Sequence, residues 1–89
     1  MSFHFYILQS TTTGKFYIGH AQDVSTRLQE HNDGRVVSTR GRGPWEIYYT
    51  EEFPTRSQAS RRERQAKSMK SRAWIEEVAR ASRSDREGR

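Results

Sequence analysis

The chain has 89 residues, no cysteine, and 16 lysines and arginines against 11 aspartates and glutamates, which gives a formal net charge of +5. A chain of this length accommodates one domain. The absence of cysteine excludes disulfides and thiolate metal sites, and no apolar run approaches the roughly 20 residues of a membrane span. The first residues lack the basic start and long apolar stretch of a signal peptide, so we expect a cytoplasmic protein that does not contact a membrane.

The first two predicted elements are strands joined by a turn. Residues 3–9 are rich in aromatic and β-branched side chains, which favours a strand. Residues 10–15 are typical of a turn, and residues 16–19 continue as the second strand of an antiparallel hairpin. Tyr6 and Tyr17 lie roughly symmetrically about the turn, so we expect them to be cross-strand neighbours.

A short helix is predicted after the hairpin, over residues 24–32. Asp23 is a good N-cap and Gly34 a good stop. The apolar stripe of this helix includes His31, and Arg27 lies at its edge. A histidine in this position is commonly a hydrogen-bonded core residue, and an arginine at the edge is commonly a surface charge.

The third predicted strand covers residues 45–50 and follows a basic loop over residues 35–44. Alternation places Trp45, Ile47 and Tyr49 on one face of this strand. Thr55 or Ser57 is expected to cap the next helix, which runs to about Met69, and Ser71 to cap a short last helix.

The predicted element order is β-β-α-β-α-α, which indicates an α/β (α+β) domain over residues 1–80. Its expected core is a three-stranded antiparallel sheet flanked by helices. Residues 81–89 are polar and charged, and we expect a flexible tail there.

Glu63 is the only acidic residue between Arg56 and Arg72, a stretch that carries seven basic residues. The basic residues are consistent with a solvated helix face or with contacts to nucleic acid, the commonest polyanionic partner. Helical spacing places Glu63 in line with two alanines, facing the body of the protein, where a carboxylate needs a partner. That partner is either Lys67 at i+4, the commoner arrangement, or a hard divalent cation.

Several residues in a fixed order carry a family resemblance, namely Tyr6, Tyr17-Ile18-Gly19, Asp23, Arg27, His31-Asn32 and Glu63. The segment YIGHAQDVSTRLQEHN resembles the second motif and the arginine helix of the GIY-YIG nuclease family. The stretches PWEIYY, SRRERQAK and SRAWIE resemble its small stand-alone bacterial branch, and the likeness extends over about residues 3–79. The chain departs from the family where His4-Phe5-Tyr6 replaces Gly-Ile-Tyr, and it lacks the later asparagine of some larger members.

This resemblance implies a metal-dependent endonuclease that hydrolyses phosphodiester bonds in DNA, structure-dependent or non-specific, in DNA repair or recombination. One divalent ion, Mg²⁺ or Mn²⁺, is the implied cofactor, and nucleic acid, above all DNA, is the implied partner. Two other classes stay open. One is a catalytically silent nucleic-acid-binding module that retains the fold, and the other is a protein-interaction domain whose basic face meets an acidic partner.

The resemblance also implies roles for individual residues. Tyr6 or Tyr17 would orient or deprotonate the attacking water, and His31 would accept a proton. Arg27 would brace the phosphate, and Glu63 would hold the metal ion. The residues implied to bind nucleic acid are Gly19, Arg40, Arg42, Arg62, Lys67 and Lys70.

Overall fold

The computed structural model describes residues 1–87, with side chains as far as Ala81. Its elements in chain order are β1 (Phe3–Ser10), β2 (Phe16–Ala21), α1 (Val24–Asn32), β3 (Trp45–Phe53), α2 (Arg56–Met69) and α3 (Arg72–Glu87). The predicted order and the α+β class are confirmed, and the observed bounds of α1 are those predicted.

Strand β1 lies at the centre of the sheet, whose order is β2-β1-β3 with both pairings antiparallel. Residues Phe5, Tyr6, Ile7 and Leu8 are at most 1% exposed because layers cover both faces of this strand. Phe5 and Ile7 belong to one core cluster, and Tyr6 and Leu8 to the other. Alternation along β1 therefore divides the core into two halves.

The register of the hairpin corrects the expected tyrosine pair. Tyr6 lies opposite Gly19, and Tyr17 lies opposite Leu8. The two tyrosines are therefore diagonal neighbours rather than a directly opposed pair. They still share a face, because a shift of two residues preserves the side on which a strand residue points.

Strand β3 contains an irregularity that the alternation of its sequence did not predict. Ile7 pairs with Tyr49 and Leu8 pairs with Ile47, so one extra residue of β3 lies between these pairs. Trp45 packs with Tyr6 and Leu8 on one face, whereas Tyr49 packs with the Phe5 and Ile7 cluster on the other. The expectation that Trp45 and Tyr49 share a face is wrong, because the bulge reverses the side on which later residues point.

The helices form layers on both faces of the sheet. Helix α1 covers the Tyr6 face with Val24 and Leu28. Asp23 is its N-cap, and the Asp23 carboxylate accepts from the Thr26 amide at 3.0 Å. Helices α2 and α3 cover the Phe5 face and bury Ala66 and Ile75 there.

Helix α3 is longer than the sequence analysis predicted. A charged tail was expected from Ala81, whereas the helix continues to Glu87. This span contains no glycine or proline, and polarity alone does not end a helix. Residues 88–89 lie outside the described part of the chain, and the flexibility expected for 81–89 stays a prediction. None of the helices, over the residues that the structure describes, has the length and apolar character of a membrane span.

Candidate active site

Two tyrosines and a histidine meet between α1 and the sheet. Tyr6 projects from β1 toward the last turn of α1, where its hydroxyl lies 3.1 Å from Nε2 of His31. The rings of Tyr17 and His31 are in edge contact at 4.7 Å between centroids, and those of Tyr6 and Tyr17 are 6.4 Å apart. The structure thus brings together three of the four residues expected to carry catalysis.

Gly19 provides the space that this cluster needs. A Cβ atom at this position would lie 2.7 Å from the Tyr6 hydroxyl oxygen and 3.3 Å from Cε2 of Tyr17. Both contacts are shorter than ordinary van der Waals separations, and Gly19 itself is buried. The phenol of Tyr6 occupies the space that the missing side chain leaves, and the expected contact of Gly19 with nucleic acid stays a prediction.

Burial keeps the Tyr6 phenol and the His31 imidazole uncharged. It raises the pKa of Tyr6 to about 12, although the guanidinium of Arg27 beside the hydroxyl opposes the rise. Burial, together with the positive charge of Arg27, lowers the pKa of His31 below its usual value. At neutral pH the pair is therefore a neutral phenol against a neutral imidazole.

Arg27, the fourth expected catalytic residue, lies at the rim of the cluster. Its Nη1 donates to Oε1 of Glu30 at 2.9 Å, and its side chain is 39% exposed. A pair this exposed contributes little to stability and exchanges readily with a competing anion. Arg27 can therefore bind a phosphate oxygen while it remains beside the Tyr6 hydroxyl.

Glu63 has partners for both carboxylate oxygens. Oε1 lies 2.6 Å from Nδ1 of His20, and Oε2 accepts from Lys67 Nζ at 2.7 Å. Burial would raise the pKa of Glu63, but Lys67 and His20 together lower it below its ordinary value. Its charge also contributes to the raised pKa of Tyr6, so Glu63 lies within electrostatic reach of the tyrosine cluster.

His20 is a site residue that the sequence analysis missed. It is the neighbour of Gly19 on β2 and pairs with Phe5, so it points to the α2 side of the sheet. Alternation along β2 could have indicated that side. The partner on α2, 43 residues later, could not be derived from local spacing.

The ligand chemistry of Glu63 limits what kind of metal site can form. Within the described residues, no group of three or more histidines, cysteines or carboxylates is placed to hold an ion. A single carboxylate suits a hard divalent ion that takes its other ligands from water and substrate phosphate. The Lys67 side chain is 54% exposed, so its ammonium group can move from the Glu63 carboxylate into solvent. The residues therefore fit an ion that binds together with substrate.

Arg62 is occupied by structural contacts. Its Nε and Nη2 donate to the two carboxylate oxygens of Glu51 at 2.8 and 3.0 Å. Its guanidinium also lies over the rings of Phe5 and Trp74, at 5.7 and 5.4 Å from their centroids. A phosphate would have to break these contacts to bind Arg62, and the expected contact of Arg62 with nucleic acid stays a prediction.

The other basic residues expected to bind nucleic acid have exposed side chains. Arg40 and Arg42 belong to the loop that packs beside His31, and Nε of Arg40 donates to the Gly34 carbonyl at 2.8 Å. Lys67 and Lys70 lie at the end of α2. Their contact with nucleic acid stays a prediction.

Comparisons with known proteins agree on one group of relatives. A family model described as GIY-YIG catalytic domain matches residues 2–76. A UPF0213 protein of Halobacterium salinarum is 41% identical over 67 residues, which cover 74% of this chain and 86% of that protein. One from Staphylococcus epidermidis is 37% identical over 68 residues, 75% of this chain and 83% of that protein. The solution NMR structure of a UPF0213 protein from Bacillus halodurans has a TM-score of 0.57 at 34% identity, over 91% of this chain and 85% of that one.

Proposed function

The chain belongs to the GIY-YIG family, and from this premise we propose that it is an endonuclease that hydrolyses phosphodiester bonds in DNA with a divalent metal ion. Family membership supports a nuclease-type function. The observation that carries the proposal is the hydrogen bond between Tyr6 and His31 beside Arg27, with Glu63 within electrostatic reach.

Water activation is the task of Tyr6 and His31. A free Tyr6 phenolate would be costly at neutral pH, because its pKa is raised to about 12. Tyr6 can avoid this cost by passing its own proton to Nε2 of His31 as its oxygen takes a proton from water. The resulting hydroxide attacks phosphorus and the bond to the 3′ oxygen breaks. Tyr17, the more exposed tyrosine, would orient the water.

Charge stabilisation is the task of Arg27 and Glu63. The planar guanidinium of Arg27 is always protonated and can contact two phosphate oxygens at once. Glu63 would hold a divalent ion, Mg²⁺ or Mn²⁺, and such an ion supplies stabilisation of charge on the phosphate and the leaving oxygen. Lys67, released from Glu63, would remain nearby to neutralise phosphate.

The proposed substrate is DNA recognised by its backbone and shape. Arg40, Arg42, Lys67 and Lys70 offer charge to phosphates, and phosphate contacts carry no sequence information. We therefore propose branched or flapped DNA, as found in repair and recombination, as the preferred substrate, with RNA as the competing outcome of a substrate panel.

A matched pair of variants tests the enzyme. Purified protein is incubated with duplex, branched, flapped and single-stranded DNA and the equivalent RNAs, with and without Mg²⁺ or Mn²⁺, and nicking only with metal is expected. Glu63→Gln should reduce cleavage at least about 100-fold, on the scale of losing a group that stabilises transition-state charge, and should spare DNA binding. The control Glu77→Gln, at an exposed position of α3, should cut normally. Equal rates for wild type and Glu63→Gln would assign Glu63 a structural role.

One observation favours a second candidate function, a nucleic-acid-binding module without activity. Both oxygens of Glu63 are already paired, with His20 and Lys67. Under this alternative the protein shifts DNA in a gel but leaves every substrate intact at any metal concentration.

A further inference from the structure

Thr39 is a buried hydroxyl residue in the loop between α1 and β3, with 1% of its surface exposed. Its Oγ1 lies 2.8 Å from Nδ1 of His31, the ring nitrogen that does not face Tyr6. The backbone of Thr39 is anchored, because its amide donates to the Val36 carbonyl at 3.2 Å and its carbonyl accepts from Trp45 Nε1 at 3.3 Å. The imidazole is thus held between two hydroxyls from different segments of the chain.

A count of hydrogens assigns the direction of each bond in this chain. Among the described residues, His31 Nε2 is the hydrogen-bond partner of the buried Tyr6 hydroxyl, and a buried hydroxyl hydrogen without an acceptor is costly. Tyr6 therefore donates to Nε2, which carries no hydrogen in the neutral ring. The ring hydrogen is then on Nδ1 and is donated to Thr39 Oγ1, whose own hydrogen goes to the Val36 carbonyl at 3.3 Å.

The opposite arrangement satisfies fewer groups. If Thr39 donated to Nδ1, the hydrogen on Nε2 would point at the Tyr6 oxygen, and the Tyr6 hydrogen would have no acceptor within the described residues.

We propose that Thr39 is a positioning residue that holds His31 in the Nδ1–H tautomer and so keeps Nε2 open toward Tyr6. The inference rests on the proposed function, since activation of water through Tyr6 requires an acceptor at Nε2. Once Nε2 takes the proton, both ring nitrogens donate, and Thr39 still accepts from Nδ1. A hydroxyl orients the ring without the added negative charge that a carboxylate partner would bring.

The wild-type protein provides the first test, independent of any nuclease assay. Nitrogen-15 NMR distinguishes protonated from unprotonated ring nitrogens in a neutral histidine. We expect His31 to show a protonated Nδ1 and an unprotonated Nε2. A predominant Nε2–H tautomer overturns the inference even if the protein cuts DNA, and the Nδ1–H tautomer supports it even if no substrate is found.

Substitution of Thr39 provides the second test. Thr39→Val keeps the shape and removes the acceptor, so the ring should shift toward the Nε2–H tautomer and kcat should fall about 10- to 100-fold with KM unchanged. Thr39→Ser should have the wild-type His31 tautomer and the wild-type kcat. The control Thr12→Val removes an exposed hydroxyl that donates to the Gly43 carbonyl at 3.1 Å and should change neither.

Two results would contradict the role of Thr39. One is an unchanged His31 tautomer in Thr39→Val, and the other is full cleavage activity despite a changed tautomer. Should Thr39→Val fail to fold, Thr39→Ala gives the same readouts, and the wild-type spectrum still decides the tautomer.

Discussion

The Tyr6 hydroxyl lies between Gly19 on one side and His31 on the other. Its hydrogen-bond partner is on α1 and the glycine that leaves space for it is on β2, so the position of this one oxygen depends on two elements. This dependence makes positions 19 and 31 sensitive to small changes that would be tolerated on the surface.

Gly19→Ala should damage both the fold and the activity. The new Cβ would lie 2.7 Å from the Tyr6 oxygen, and Tyr6 cannot move away easily because it is enclosed by the core. We expect a loss of about 1–3 kcal/mol of unfolding free energy, as for other overpacked cores, together with lost cleavage. Urea unfolding and a nicking assay measure the two effects. Wild-type values in both would show that the cluster has room for a methyl group.

His31 should make the protein less stable in mild acid. Its pKa in the folded state is lowered, chiefly by burial, below the unfolded value of about 6.5. The unfolded state therefore binds more protons as pH falls, so this contribution to stability is complete above pH ~6.5 and is lost below it. Urea unfolding of wild type and His31→Gln between pH 7 and pH 5 isolates the effect, because His4 and His20 are present in both proteins. Parallel pH profiles would contradict this assignment.

Helix α2 directs two neighbouring side chains to opposite edges of the sheet. Arg62 reaches Glu51 on β3, whereas Glu63 reaches His20 on β2. Successive residues of a helix point about 100° apart, and this angle separates the two contacts. One basic helix thus serves both the packing of the protein and its candidate site.

Arg62→Met and Lys70→Met should separate these two roles. Arg62→Met keeps the apolar stem but leaves the half-buried Glu51 carboxylate without its bidentate partner, so we expect about 1–3 kcal/mol of destabilisation. Its DNA affinity should stay close to wild type. Lys70→Met, at an exposed position, should weaken DNA binding and leave stability nearly unchanged. Thermal unfolding and fluorescence anisotropy with labelled DNA measure both quantities, and weaker DNA binding by folded Arg62→Met would show that Arg62 also contacts nucleic acid.

The whole molecule combines a neutral candidate catalytic cluster with positive charge around it. Tyr6 and His31 are buried and uncharged, and Arg27 lies at their rim. Exposed arginines belong to the 35–44 loop, whose Thr39 contacts His31. The net charge of +5 adds a long-range attraction for polyanions.

Nucleic-acid affinity should therefore fall steeply with salt. The logarithm of the binding constant is expected to decrease linearly with the logarithm of salt concentration, with a slope of about −0.9 for each phosphate neutralised on duplex DNA. Arg40→Met and Arg42→Met should each make this slope less steep by about 0.9, the value for one phosphate contact. Anisotropy titrations between low and physiological salt measure the slope, and a binding constant that does not change with salt concentration would exclude phosphate-dominated binding.

The sequence was sufficient to predict the helices and strands and much of the candidate site. Aromatic and β-branched residue types predicted β1 as a strand, and Asp23 and Gly34 marked the ends of α1. These signals are local because strand and helix periods, and caps, depend on residues only a few positions apart. The resemblance to the GIY-YIG family, rather than any local period, grouped Tyr6, Tyr17, Arg27 and His31.

Contacts between distant segments required the folded chain. His20 meets Glu63 across 43 positions, and Arg62 meets Glu51 across 11. Such pairs depend on strand register, on the bulge in β3 and on the angle at which α2 crosses the sheet. The tautomer of His31 depends likewise on a loop residue, Thr39, that no period places beside it. Residue types and spacing thus determined the helices and strands and the chemistry available to them. Packing between these elements determined which partner each polar group has, because a buried donor or acceptor must find its partner in space rather than along the chain.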